Sequence, residues 1–387
     1  MRDKLKKTIT LTIALLLLAS APAALADNTD GKPPSEEANV TVSADNMILY
    51  VPFRSVAERL GGIVEYEESL HCIYTVMPDE TIISHIPSTN TFVINGHPVS
   101  FNLPSVVGRG VTYLPITVLN MVFNNTVIYD SYANVININT GHYKQSENFR
   151  KLQECTKLEH FIPDNLFRYL DYIKDNPDIP ADRAAAYVNI GVQNEFYSNI
   201  EEVKDPSATD VLCNKIYRLP EGYVPEDLVY IPGTVYKLRK EASDKFIDMQ
   251  EAARAEGIYF YVYSAFRSYE TQEYLFEMYS QRDGVDGADM YSARPGHSEH
   301  QAGLAVDLMS ATNSFFENSD EYVWLKNNAH KYGFILRYPE GYSHITGYTF
   351  ESWHWRYIGP DAAKRMYEEN ITTYEEYCGK YLWDIIT

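Results

Sequence analysis

The sequence predicts an α+β protein of two domains: an N-terminal repeat module of short strands and helices, then a larger domain in which helices flank a small antiparallel sheet. Three observations lead there. The chain has 387 residues, more than one ordinary core accommodates. An internal repeat fills much of its first third. Further on, a helix-periodic segment at 243–256 gives way to strand-like segments at 258–263 and 303–308. With 45% hydrophobic and 22% charged residues, the composition is globular rather than disordered.

Residues 1–26 read as an export signal. Arg2, Lys4, Lys6 and Lys7 precede an apolar run from Ile9 to Leu18, and Ala24-Leu25-Ala26 supplies small residues for cleavage. The apolar run is too short to span a bilayer comfortably, and no later stretch reaches spanning length. The mature protein is therefore expected outside the cell, associated with the envelope, after a polar linker at 27–39. The formal charge of −20 becomes more negative once the basic leader is lost. That excludes nucleic-acid binding driven by bulk electrostatics.

The repeat runs over 40–141. Tyr50, Pro52, Phe53, Val56, Leu60, Val64 and Tyr66 recur at one constant spacing as Tyr113, Pro115, Ile116, Leu119, Phe123, Val127 and Tyr129. Each copy reads as an extended segment ended by proline, which cannot continue a paired ladder. A short helix with apolar residues at helical spacing follows, then a strand. Between the copies, Asn95-Gly96 separates two apolar runs, a hairpin signal. His71, His85 and His97 lack metal-ligand spacing.

Residues 142–159 read as a linker helix, with Asn176 to Pro180 as a breaker after further charged helix. A strand is expected at 186–192. A helix at 243–256 ends at Gly257, and Ser268 caps the next helix. Cys72, Cys155, Cys213 and Cys378 are widely spaced, with no C-x-x-C pair. Export permits disulfides, so a Cys155–Cys213 bridge and buried free thiols both stand.

Chemistry concentrates in three places. In Ser298 to Asp307, His300 closes a loop opened by Pro295-Gly296. The stretch from Gly303 alternates so that Gly303, Ala305 and Asp307 share one face. An acid there is costly unless paired or metal-bound. In Glu351-Ser352-Trp353-His354-Trp355, a carboxylate stands three residues before a histidine, among aromatics that would exclude water. Two histidines and a carboxylate (His300, Asp307, His354) suit an open zinc site, with Glu351 as the group that takes and returns a proton. Arg267 follows a strand directly, and its guanidinium suits a developing oxyanion. His297 is expected at the mouth, and His330 and His344 at the surface.

These residues carry two resemblances. Residues 40–141 resemble the copper amine oxidase N-terminal-like, or stalk, domain, which is usually a binding or spacer module and implies no copper. The second copy departs from the first at Thr117 for Arg54 and at Asn124-Asn125 for Gly61-Gly62. Residues from about 160 to 375, in a domain expected over 160–387, resemble the VanY-type D,D-carboxypeptidases among the zinc peptidases. The shared pattern is S-x-H-x(2)-G-x-A-x-D from Ser298, E-x-W-H from Glu351, and Phe266-Arg267-Ser268. His297 and Ala302 stand where an aromatic and a threonine are usual. The resemblance implies zinc held by His300, Asp307 and His354, with Glu351 and Arg267 catalytic and Ser298 and Gln272 lining the substrate site. It also implies peptidoglycan stem peptides as substrate and the cell wall as partner. An L,D-carboxypeptidase acting on tetrapeptides shares these motifs. A non-catalytic wall-binding protein is disfavoured because no catalytic group is missing.

Overall fold

The computed structural model describes residues 41–42, 48–130, 132, 135–313 and 315–383. The expected leader and linker lie outside them. The chain divides into two compact units, Met1–Ala181 and Asp182–Thr387. Among the described residues, no helix is long and apolar enough to cross a membrane.

In the first unit the repeat becomes a local two-fold arrangement. The strands Leu49–Pro52 and Val111–Pro115 pair antiparallel about Val51 and Leu114, so Tyr50 meets Pro115 and Pro52 meets Tyr113. Each proline ends its strand and opens a helix, Phe53–Arg59 or Ile116–Val122. Proline's fixed φ and missing N–H suit that junction. Phe53, Val56, Leu60, Leu119, Phe123 and Val127, all repeat positions, fill one core. The Gly-to-Asn departure keeps the left-handed backbone at its first position, with Gly61 at φ 88 and Asn124 at φ 52, but not at its second, where Asn125 has φ 61 and Gly62 is not at positive φ. Asparagine enters the left-handed region more readily than other side chains. Asn95 and Gly96, both at positive φ, turn the hairpin between Thr91–Ile94 and His97–Ser100.

The helices Glu147–Cys155 and Leu166–Asp175 belong to this first unit, where Phe167 packs edge-on against Tyr74, ring centroids 4.7 Å apart. The second compact unit therefore starts later than residue 160.

The second unit centres on a four-stranded antiparallel sheet in the order Phe260–Ser264, Ala305–Ser310, His354–Tyr357, Phe334–Leu336. One face carries Val306, Leu308, Trp355 and Tyr357 into a core with Phe246, Met249 and Ala253 of the helix Lys240–Ala255. Gly257 (φ 80) ends that helix, and the Ser268 side chain accepts from Thr271 N to begin the next, Tyr269–Asp283.

Two expectations are corrected. Residues 186–192 are not a strand, because a helix runs Ala181–Asn189. Ala184, Ala185 and Ala186 favour helix, and Gly379 of the C-terminal helix Tyr374–Tyr381 packs so tightly that a Cβ there would lie 2.0 Å from Ala186 O. The alternating strand begins at Ala305, not Gly303, which sits at φ 66 after a 3-10 turn, Glu299–Ala302. A Cβ on Gly303 would meet Leu228 Cδ2 at 2.9 Å, so its small size serves close packing. All four cysteines are buried.

Candidate active site

The sheet face opposite the core carries the chemistry. Asp307 lies in register with His354 on one neighbouring strand and Ser264 on the other. Pairing shifts between Val262 and Ser264, a bulge of the kind that re-aims side chains beside a site. His300 comes from the 3-10 turn immediately before the Asp307 strand. Its Nδ1 donates to Ala265 O at 2.7 Å, so Nε2 faces Asp307 Oδ2 at 3.3 Å. On the far side, His354 Nδ1 lies 3.3 Å from Asp307 Oδ1. Ligand atoms of His300, Asp307 and His354 all fall within 4.8 Å of one another, and all three residues are buried.

A cation fits this group on its own chemistry. Asp307 Oδ1 is buried and lacks an aligned hydrogen bond, despite its closeness to His354 Nδ1. Two lone-pair donors meeting in a buried pocket are relieved by a shared positive ion. Burial alone would raise the Asp307 carboxyl, but His300 and His354 hold it well below the carboxylate range.

Glu351 joins from a turn in which His354 N donates to Glu351 O at 3.4 Å. That turn brings Glu351 Oε2 to 3.6 Å from His354 Nδ1. Burial, reinforced by the nearby charge of Asp307, pushes the Glu351 carboxyl up to about 7 despite His354 and Arg267. Arg267 closes the group, with Nη2 3.9 Å from Asp307 Oδ2. Its Nη1 donates to Gln272 Oε1 at 2.5 Å and its Nη2 to Ser264 Oγ at 3.1 Å. Gln272 is 1% exposed, and its Nε2 donates to Ala293 O and Ser292 Oγ. Its amide is thus spent inside the protein, behind Arg267. Ser298 is buried at the residue that opens the 3-10 turn.

His297 does not join the cluster. It is buried, with Nδ1 donating to Asn214 O at 2.7 Å and its ring edge-on to Tyr197. His344 is exposed as expected, whereas His330 is partly buried and stacks on Tyr367. The aromatic shielding differs from expectation. Trp355 belongs to the core on the opposite face, and Trp353 is 41% exposed. Tyr338 instead packs its ring 4.8 Å from that of His354. Tyr338 is not of a usual zinc-ligand type and stands 16 residues before His354 in sequence, so its closeness in space is what marks it.

Two family profiles match the chain, D-alanyl-D-alanine carboxypeptidase (VanY) over 235–360 and the copper amine oxidase N-terminal domain over 30–138. A putative carboxypeptidase, YodJ of Bacillus subtilis (strain 168), is 40% identical over 209 residues, 49% of this chain and 76% of that protein. A D-alanyl-D-alanine carboxypeptidase of Enterococcus faecalis (strain ATCC 700802 / V583) is 32% identical, over 52% of this chain and 78% of that protein. A solved structure of the vancomycin resistance D,D-pentapeptidase VanY in complex with Zn(II) is 32% identical, covering 45% of this chain and 99% of that one, with a TM-score of 0.39.

Proposed function

Since the chain belongs to the VanY family of D-alanyl-D-alanine carboxypeptidases, we propose that it is a zinc-dependent carboxypeptidase that removes the C-terminal D-alanine from peptidoglycan stem peptides. The observation that carries this reading is the convergence of His300, Asp307 and His354 within 4.8 Å, with Glu351 3.6 Å from His354 Nδ1.

His300 through Nε2, Asp307 through its carboxylate and His354 through Nδ1 would hold the zinc. When bound, zinc lowers the pKa of a coordinated water and polarises the scissile carbonyl. The protein supplies the rest. Glu351 takes the proton of the attacking water and returns it to the departing amine of D-alanine. Its burial suits both directions, because a carboxyl raised toward neutrality takes up a proton more readily than an ordinary one and is still acidic enough to release it near neutral pH. Arg267 meets the charge that develops on the carbonyl oxygen. Its guanidinium is already oriented by Gln272 and Ser264, so little reorganisation accompanies the reaction. Gln272 is on this reading a positioning residue, and we assign Ser298 to the substrate side of the site.

The test is mass spectrometry of defined stems after digestion. A pentapeptide ending in D-Ala-D-Ala is expected to lose one D-alanine, with the tetrapeptide left as product. Cleavage of the tetrapeptide in preference would convert the assignment to an L,D-carboxypeptidase. No cleavage of either stem would refute it.

We further propose that the protein is exported and that its first unit keeps the enzyme at the cell wall, on the ground of its place between leader and peptidase. Removal of 40–181 is the appropriate deletion, because the helices Glu147–Cys155 and Leu166–Asp175 pack within that unit. Retention on isolated cell walls is expected to fall while cleavage of soluble peptide persists. Unchanged retention would count against the idea.

A further inference from the structure

Behind His354 lies a group of charged side chains that the mechanism above does not use. Glu299 precedes His300 in the 3-10 turn, and its side chain is fully buried. Its Oε1 accepts from Arg337 Nε at 2.7 Å and is ion-paired with Arg356 Nη1 at 3.0 Å. Arg337 also grips both oxygens of Glu375, on the helix Tyr374–Tyr381, at 2.7 and 2.9 Å. None of these side chains is more than 1% exposed. Two acids and two guanidiniums balance in charge, but such a network is costly to desolvate, and apolar packing of the same volume is often more stable. A purely structural reason for it is therefore weak.

The geometry supplies another reason. With Oε1 held by two arginines, the second oxygen of Glu299 is directed at His354. Oε2 lies 3.5 Å from His354 Nε2. Both atoms are buried, and neither makes a hydrogen bond among the described residues. They are complementary, an N–H donor and an anionic acceptor, and a shift of a few tenths of an ångström brings them into ordinary range.

We propose that Glu299 is a positioning residue for His354: its Oε2 accepts a hydrogen bond from Nε2–H and thereby leaves Nδ1 with its lone pair free toward Asp307 and Glu351. A metal-binding histidine commonly has its tautomer and ring orientation set by the acceptor on its other nitrogen. The two histidines are thus presented through opposite nitrogens. His300 is set by the Ala265 carbonyl, and His354 is set by a carboxylate that Arg337 and Arg356 clamp in place. The inference rests on the metal-site reading above.

The experiment measures zinc affinity of the full chain by competition with a chromophoric chelator. Circular dichroism and thermal unfolding report folding of each variant. Glu299→Gln removes the charge, and Glu299→Asp keeps it but withdraws the carboxylate by one methylene. Both are expected to raise the zinc Kd about 10–100-fold, the usual effect of losing an outer partner of a ligand. Both should also shift the visible ligand-field bands of the cobalt-substituted protein. Glu375→Gln disturbs the same buried network away from the ligands and is expected to leave the bands in place and the Kd within about 3-fold. Wild-type affinity in either folded Glu299 variant overturns the proposal. So does an equal loss in the Glu299 and Glu375 variants, which a merely structural role predicts. A wild-type chain that takes up no zinc overturns the metal-site reading instead, and the two failures are distinguishable.

Discussion

Glu351→Ala is expected to lower kcat on a D-Ala-D-Ala-ended peptide by about 10²–10⁴-fold, the usual range for a lost general acid–base group. At the middle of that range the loss is about 4 kcal/mol of transition-state stabilisation. The variant should still bind one zinc, since His300, Asp307 and His354 are untouched. It should also fold at least as well as the parent. Burial disfavours ionisation of Glu351, so truncation removes a poorly solvated acid rather than a stabilising contact. Release of D-alanine, metal content and thermal midpoint, measured together, separate these effects. A variant that keeps more than about a tenth of the activity would show that the base is elsewhere, because the lower bound of the range is already tenfold larger.

Removing the metal is expected to have the largest effect of all. Chelation should abolish hydrolysis, and stoichiometric zinc should restore it. His354→Ala should do the same irreversibly. Chelation should also lower the thermal midpoint. Without the cation, Asp307 and Glu351 share a buried pocket in which His300, His354 and Arg267 offset their charge. A ligand that binds only the folded state at a thousand times its Kd stabilises it by about 4 kcal/mol. The holo and apo proteins should differ by a comparable amount in denaturant titration. Activity that survives a chelator shown to strip the metal would end the zinc reading.

Much of the site was legible because ligand chemistry is local. A histidine and an acid six residues on, and an acid three residues before a histidine, mark themselves by residue type and spacing. The carboxylate at 351 reaches His354 through a single turn, which spacing alone implies. The repeat was equally legible, since Phe53, Leu60, Leu119 and Phe123 must be apolar to fill the core they share. Where the reading failed, a competing interaction won. Gly303 looked like a strand position because Ala305 and Asp307 alternate with it, yet the preceding 3-10 turn needed a left-handed residue there. Residues 186–192 read as a strand, but the alanines at 184–186 and the close packing against Gly379 favour a helix.

The sequence by itself determined which residues could hold a metal, which acid could move a proton, and that the first third repeats. These follow from chemical identity and periodicity, which a linear chain displays. The tertiary structure decided which nitrogen of each histidine faces Asp307, that Gln272 supports Arg267 from behind, that Tyr338 rather than a tryptophan lies on His354, and that Glu299 faces inward between two arginines. Each of these depends on cross-strand register and on partners distant in the chain. A side chain's orientation is set by what it meets across that distance, and residue type and spacing do not specify it.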